Sequence, residues 1–204
     1  MISRVERAIE FAENGITKLT DEAFGVPGFS SRKCRIFLNT LCDAPGTKYL
    51  EVGTWYGSTL VGAGYKNKGN FTGIDNFSQF QKSNDGEDFE VAKKLEKNLS
   101  ILKNSGAGVE FIEADFTKFT PTGKIDVFFY DGDHAVEPTK TGLEYFKPHL
   151  SKEAVVIVDD VELTTSVLEG IKSGTKGWEI VQEWHLPMSA GYHMGLWVAV
   201  VKNG

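Results

Sequence analysis

The stretch 48-KYLEVGTWYGSTL-60 decides how the rest of the chain is read. Tyr49 to Val52 form a short apolar strand, and Gly53 to Gly57 form a glycine-bracketed turn. Ser58 to Gly64 then read as the start of a helix. A strand that runs through a glycine turn into a helix is the opening unit of a nucleotide- or nucleoside-binding α/β fold. The residues inside the turn narrow the ligand. A dinucleotide fingerprint needs a second glycine where pyrophosphate meets the backbone, and that place is held by Trp55. A phosphate-cradling loop of the other common kind needs a lysine before its Ser/Thr, and Gly57-Ser58-Thr59 has none. What remains is a cofactor with a ribose and no phosphate.

Outward from this turn, apolar runs alternate with helical patterns. Strands are expected at Asn70 to Ile74, Val109 to Ile112, Ile125 to Tyr130 and Ala154 to Val158. Helices are expected at 88–103, with Val91, Leu95 and Leu99 on one stripe, at Pro138 to Phe146 and at Leu163 to Ser173. The stretch 77–87 is polar and reads as a loop. Trp178 to Trp184 and Leu196 to Val201 are two last strands with no helix between them, which implies one antiparallel edge. Runs such as VFFY and VVIV are continuously apolar, as strands covered on both faces are. Before the turn the chain is helical, with Ile2, Val5, Ile9 and Phe11 at helical spacing. A second helix, Arg32 to Leu41, is capped by Ser30 or Ser31 and broken by Asp43-Ala-Pro-Gly. The expected fold class is α/β: a Rossmann-like, seven-stranded, mostly parallel sheet with an antiparallel last strand and helices on both faces. One domain is expected over 1–204, with 1–45 as a helical extension and 46–204 as the core.

The 204 residues carry a net charge of -6 and no long basic run, which disfavours a nucleic acid partner. Cys34 and Cys42 lie on one helix with no histidine at zinc spacing, so both read as buried small side chains. No apolar run reaches membrane-spanning length. The acidic, amphipathic start is unlike a secretory signal, so a cytoplasmic protein without a membrane partner is expected.

The ends of the strands carry the chemistry. Glu51-Val-Gly53, Asp75, Asp115, Asp131 and Asp159-Asp160 each follow a strand, and in open α/β sheets ligands bind beyond those ends. Asp75 suits ribose hydroxyls, and Asp115 suits an adenine amino group. Glu51 either orients the turn or meets a cofactor ammonium. Asp131, Asp159 and Asp160 would repel one another without a cation, and an all-oxygen set suits Mg²⁺, Mn²⁺ or Ca²⁺. His134, three residues after Asp131, is placed to act as a general base. His193, in SAGYHMG, is a candidate substrate contact, and His149 and His185 have weaker claims.

LEVGTWYGST followed by GIDNF resembles the motifs of class I S-adenosylmethionine-dependent methyltransferases. YDGDH and VIVDD resemble their metal-dependent O-methyltransferase group, macrolide-sugar enzymes most closely and catechol enzymes more distantly. The resemblance spans roughly 47–161 and implies a cofactor site of Glu51, Gly53, Thr54, Gly57, Ser58, Asp75, Asp115, Phe116 and Asp131. It places Gly53 and Gly57 along the methionine moiety and lets Asp115 and Phe116 flank the adenine. It matches Asp131, Asp159 and Asp160 to three metal ligands, His134 to a base, and the loop 29–31 to a cover over the cofactor. The implied reaction is methyl transfer from S-adenosyl-L-methionine to a small-molecule hydroxyl, sugar-like or other, with a divalent metal. Oligomeric state, a homo-oligomer included, stays open. Three alternatives stand beside it: a metal-independent N- or carboxyl-methyltransferase, a non-catalytic cofactor-binding protein, and a nicotinamide oxidoreductase weakened by Trp55. DNA base methylation is disfavoured because YDGD replaces an Asn/Asp-Pro-Pro-aromatic run.

Overall fold

The computed structural model describes residues 1–79 and 90–204. Part of the expected 77–87 loop and the first two residues of the expected 88–103 helix lie outside the described residues. Three helices come first: α1 (Ile2–Glu13), α2 (Asp21–Phe24) and α3 (Arg32–Leu41). The sheet and its helices follow as β1 (Thr47–Val52), α4 (Ser58–Gly64), β2 (Gly69–Asp75), α5 (Val91–Asn104) and β3 (Gly108–Glu113). Then come β4 (Ile125–Tyr130), α6 (Val136–Phe146), β5 (Leu150–Val158), α7 (Thr165–Gly174), β6 (Glu179–Leu186) and β7 (Leu196–Lys202).

The seven strands stand in the order β3-β2-β1-β4-β5-β7-β6. The first five pair in parallel, and β7 is antiparallel to both β5 and β6. The last strand is antiparallel, as expected; it lies between β5 and β6, and the antiparallel pair β7-β6 ends the sheet with β6 outermost. The burial patterns explain the order. Residues Leu196 to Val201 of β7 are all buried, whereas β6 alternates exposed and half-buried positions along one open side.

Alternate strand residues feed two cores. Val127, Phe129, Val155 and Ile157 face the core shared with α1, α3, α4 and α5. Phe128, Tyr130, Val156 and Val158 face the core shared with α6 and α7. On α1 the buried stripe is Val5, Ala8 and Ala12, with Ile2, Ile9 and Phe11 only partly buried at its margin. Alanines on that face let α1 lie close against α3. Ser31, not Ser30, caps α3: its Oγ accepts the Cys34 N–H at 3.1 Å. Both cysteines are buried and unbridged. No helix among the described residues is long and apolar enough to cross a membrane.

Candidate functional site

The parallel ladder brings the strand ends level. Val52 stands opposite Ile74 on one side and Tyr130 on the other, and Tyr130 stands opposite Val158. Three further backbone bonds carry the ladder one residue past the strands. Gly53 N–H donates to Ile74 O at 2.9 Å, Asp131 N–H to Val52 O at 2.8 Å, and Asp159 N–H to Tyr130 O at 3.0 Å. Gly53, Asp131 and Asp159 are thus set side by side by backbone register alone.

The contact between Gly53 and Asp131 is close. Gly53 has φ +91°, and a Cβ there would sit 1.8 Å from the Asp131 carbonyl oxygen. Only glycine has both the conformation and the room. Gly57, at φ +80°, closes the turn with its N–H on Thr54 O at 2.7 Å and precedes α4.

A cavity of about 600 Å³ opens over these ends. Of the sequence-derived cofactor set, Gly53, Thr54, Ser58, Asp75, Asp115, Phe116 and Asp131 line it. Glu51 and Gly57 do not: Glu51 is 0 % exposed within β1, and Gly57 turns its α-carbon toward Leu95. The Asp75 carboxylate accepts the N–H groups of Trp55 and Phe77, each at 2.7 Å, which fixes it on the wall. Asp115 accepts from Thr117 N–H and Thr117 Oγ1, and those two bonds hold its carboxyl below the ordinary range. Trp55, expected to block a pyrophosphate, lies on the wall with φ +43°, stacked on Phe29 at 4.7 Å and on Tyr56 at 3.9 Å. Phe29 and Ser30 line the cavity's rim, so the loop expected to cover it does reach it.

The carboxylate cluster is regrouped relative to the sequence expectation. Asp131, His134 and Asp160 can each offer one ligand atom, all within 4.8 Å of one another. Asp159 stands outside that group and does not line the cavity. Just past the end of β5, Asp159 is 4 % exposed and accepts the Asp160 N–H on its Oδ1 at 2.8 Å. Asp160 adopts a left-handed backbone, φ +59°, and swings into the cavity.

His134 Nε2 lies 3.0 Å from Asp160 Oδ2 and 3.8 Å from Asp131 Oδ1, and His193 Nδ1 lies 3.5 Å from Asp160 Oδ1. The two carboxylates, Asp131 first, push the His134 imidazole up to about 10. Burial pushes Asp131 up to about 6 against the pull of His134, although its side chain is 26 % exposed and water on that side moderates the push. Asp160, which burial alone would raise, is held below the ordinary carboxylate range by His134 and then His193. Burial, then Asp131 and Asp160, push the Asp159 carboxyl well up. His134 Nε2, Asp160 Oδ1 and His193 Nδ1 are buried yet make no well-aligned hydrogen bond among the described residues. Charge, not hydrogen bonding, holds the cluster, and its converging lone pairs suit a cation.

Reading the sequence alone misses several wall residues. Pro138, Leu163 and Met194 add an apolar side near the cluster, and Tyr130 lines the floor. Leu163 falls just before α7 rather than in it, since Thr164 caps that helix by accepting the Ser166 N–H.

A family model described as a methyltransferase domain matches residues 50–161, just over half the chain. Among curated proteins compared by sequence, none matches. Solved structures give the fold. The O-methyltransferase from Bacillus cereus in complex with SAH superposes with a TM-score of 0.62 at 16 % identity, covering 99 % of this chain and 100 % of that one. The SAH-bound methyltransferase PaMTH1 from Podospora anserina gives 0.60 at 14 % identity, covering 95 % and 93 %. The N-methyltransferase NodS from Bradyrhizobium japonicum WM9 gives 0.56 at 12 % identity, covering 84 % and 95 %.

Proposed function

This chain belongs to the methyltransferase-domain family, and on that premise we propose that it transfers a methyl group from S-adenosylmethionine to a hydroxyl of a small molecule, sugar-like or other, with a divalent cation and His134 as the base. One observation carries the reading. A single cavity is walled on one side by the glycine turn, Asp75 and Asp115, and on the other by Asp131, His134 and Asp160.

The first wall fits a nucleoside cofactor. Asp75 and Asp115 are each oriented by two hydrogen bonds and keep free lone pairs for ribose hydroxyls and an adenine amino group. Bound there, S-adenosylmethionine supplies an electrophilic methyl and leaves as a neutral thioether. That loss of charge favours an apolar surround, and the stacked rings of Phe29 and Trp55 supply apolar surface at the cavity. The second wall fits a cation. Asp131 and Asp160 bring two anionic oxygens, and the orphaned atoms around them have no competing donors among the described residues. A divalent ion there supplies positive charge beside the acceptor hydroxyl and lowers its pKa.

His134 is protonated at neutral pH while Asp131 and Asp160 face it uncompensated. Neutralising those carboxylates returns the imidazole toward its ordinary range, where Nε2 accepts the hydroxyl proton. The chain's own contribution is then alignment of acceptor against methyl, an effect worth up to about 7–11 kcal/mol in rate.

The test is methyl transfer from methyl-labelled S-adenosylmethionine to a panel of hydroxyl compounds, with EDTA and then Mg²⁺ or Mn²⁺ added back. Asp160→Asn and His134→Ala should each lower turnover by about 10²- to 10⁴-fold. Near-normal turnover in both variants with excess metal refutes the reading.

A second reading has one observation in its favour. His134, protonated by its neighbours, already neutralises much of the cluster without a metal. Metal-free transfer to nitrogen or to a carboxylate is compatible with that arrangement, and the same fold serves an N-methyltransferase. Activity that survives EDTA would select it.

A further inference from the structure

Arg35, in α3, is 5 % exposed and makes no ion pair among the described residues. Its guanidinium is held by neutral acceptors alone. Nη1 donates to Val26 O at 2.8 Å, Phe24 O at 3.0 Å and Ala23 O at 3.5 Å; Nη2 donates to Ser30 O at 3.4 Å. Nε donates to Ser30 Oγ at 2.8 Å. Burying a cation without a counter-ion is unfavourable, and the loop's carbonyls could be satisfied by a neutral amide. The charge therefore calls for an explanation beyond loop closure.

The hydrogen-bond order beyond Arg35 supplies one. Ser30 Oγ lies 2.9 Å from Ser58 Oγ. With Arg35 Nε–H already donating to Ser30 Oγ, either serine can donate to the other, and in both cases one hydroxyl hydrogen is left over. Ser30 and Ser58 both line the cavity. The result is a short relay with a cation at its buried end and an unspent donor at its open end. Hydrogen bonds in such chains polarise one another, so the terminal donor is strengthened toward an anion. The relay has no slack. A Cβ on Gly28 would lie 2.1 Å from Ser58 Oγ, and one on Gly62 of α4 would lie 3.1 Å from Arg35 Cβ. On its outer side the same loop is pinned by the stack of Phe29 on Trp55.

We propose that Arg35 is a positioning residue: through Ser30 and Ser58 it holds and polarises a hydroxyl donor that receives the carboxylate at the amino-acid end of S-adenosylmethionine. The proposal rests on the cofactor reading above. It assigns to a residue outside the cavity the selectivity for a cofactor that carries a carboxylate.

The experiment titrates wild type, Ser30→Ala and Arg35→Lys calorimetrically with two ligands. S-adenosylhomocysteine carries the carboxylate; 5′-methylthioadenosine has the same nucleoside and thioether without the amino-acid end. Loss of the relay should weaken S-adenosylhomocysteine about tenfold, the scale of one charge-assisted hydrogen bond, and leave methylthioadenosine within about twofold. A merely structural role would weaken both ligands alike, and that result overturns the proposal, as does unchanged S-adenosylhomocysteine affinity in both variants. If Arg35→Lys does not fold, Ser30→Ala decides alone, because it removes the relay and keeps the buried cation. Failure of the wild type to bind S-adenosylhomocysteine overturns the cofactor reading itself and this proposal with it.

Discussion

Glu51 allows a quantitative test of how the strand beneath the turn is built. Its side chain is 0 % exposed in β1, Oε2 accepts the Tyr49 hydroxyl at 2.7 Å, and Oε1 has no partner among the described residues. Burial pushes its carboxyl from 4.5 up to about 8, with Asp131 adding to the push and the hydroxyls of Tyr49, Thr59 and Thr54 pulling against it. Below the unfolded value both states are protonated and Glu51 makes no difference to stability. As pH rises from there toward 8, the unfolded chain releases the proton and the folded chain keeps it, so stability falls; above 8 both are ionised and the loss is complete. The interval between 4.5 and about 8, at about 1.4 kcal/mol per pH unit, sets a ceiling of about 5 kcal/mol. Relaxation of the fold around the charge brings the expected value to about 2–4 kcal/mol. The assay is urea denaturation of wild type and Glu51→Gln from pH 5 to pH 9. The glutamine amide oxygen still accepts from Tyr49, so the Tyr49 contact is kept in the comparison. The stability of Glu51→Gln relative to wild type should rise by that amount across the range. A difference that stays flat within about 0.5 kcal/mol would mean that Glu51 is ionised in the fold, and the reasoning fails.

Two further substitutions probe the frame of the site. Gly53→Ala must either move the Asp131 carbonyl or abandon the turn; a loss of about 3 kcal/mol or more in denaturant midpoint, with no S-adenosylhomocysteine binding by calorimetry, is expected. Asn67, 2 % exposed, donates its amide to Asn39 O at 2.8 Å and to Ala63 O at 2.6 Å, closing the end of α4. Asn67→Ala leaves both carbonyls unpaired and should cost about 2–3 kcal/mol in urea denaturation, and a loss under about 0.5 kcal/mol would show that water replaces the amide.

The fold was legible wherever a local signal had no competitor. Val127 to Tyr130 is continuously apolar, and the expected strand Ile125 to Tyr130 forms β4 over those six residues. Ser31 and the break at 43–46 bound α3 as expected. The place of β7 inside the sheet was also written in the sequence, in the contrast between LWVAVV and the alternation of EIVQEWH. The missing helix between the last two strands gives their antiparallel pairing, and that contrast gives their order. The site was legible at its strand ends because register fixes them. It was less so for the conformation after β5, where Asp160 turns left-handed and Asp159 accepts its N–H. The bond from Arg35 to Ser30 carried no signal, because it depends on how the loop before α3 folds back on that helix.

Some of the departures from ordinary backbone geometry border the same cavity. Trp55, Asp160 and His193 all have positive φ, and all three line it. A side chain held in that region costs about 1–3 kcal/mol, so three around one cavity mean that the surrounding fold over-determines their positions. At Asp160 the constraints are visible. Its N–H is taken by Asp159 Oδ1 and its carbonyl by the Leu163 N–H at 3.0 Å, which locks the left-handed turn and leaves the carboxylate only the direction of His134 and His193. The buried Asp159 therefore serves as the brace that aims Asp160. Asparagine tolerates the left-handed conformation that a β-branched or apolar residue resists. Asp160→Asn consequently removes the charge and keeps the aim, which is why it separates the cluster's electrostatics from its folding.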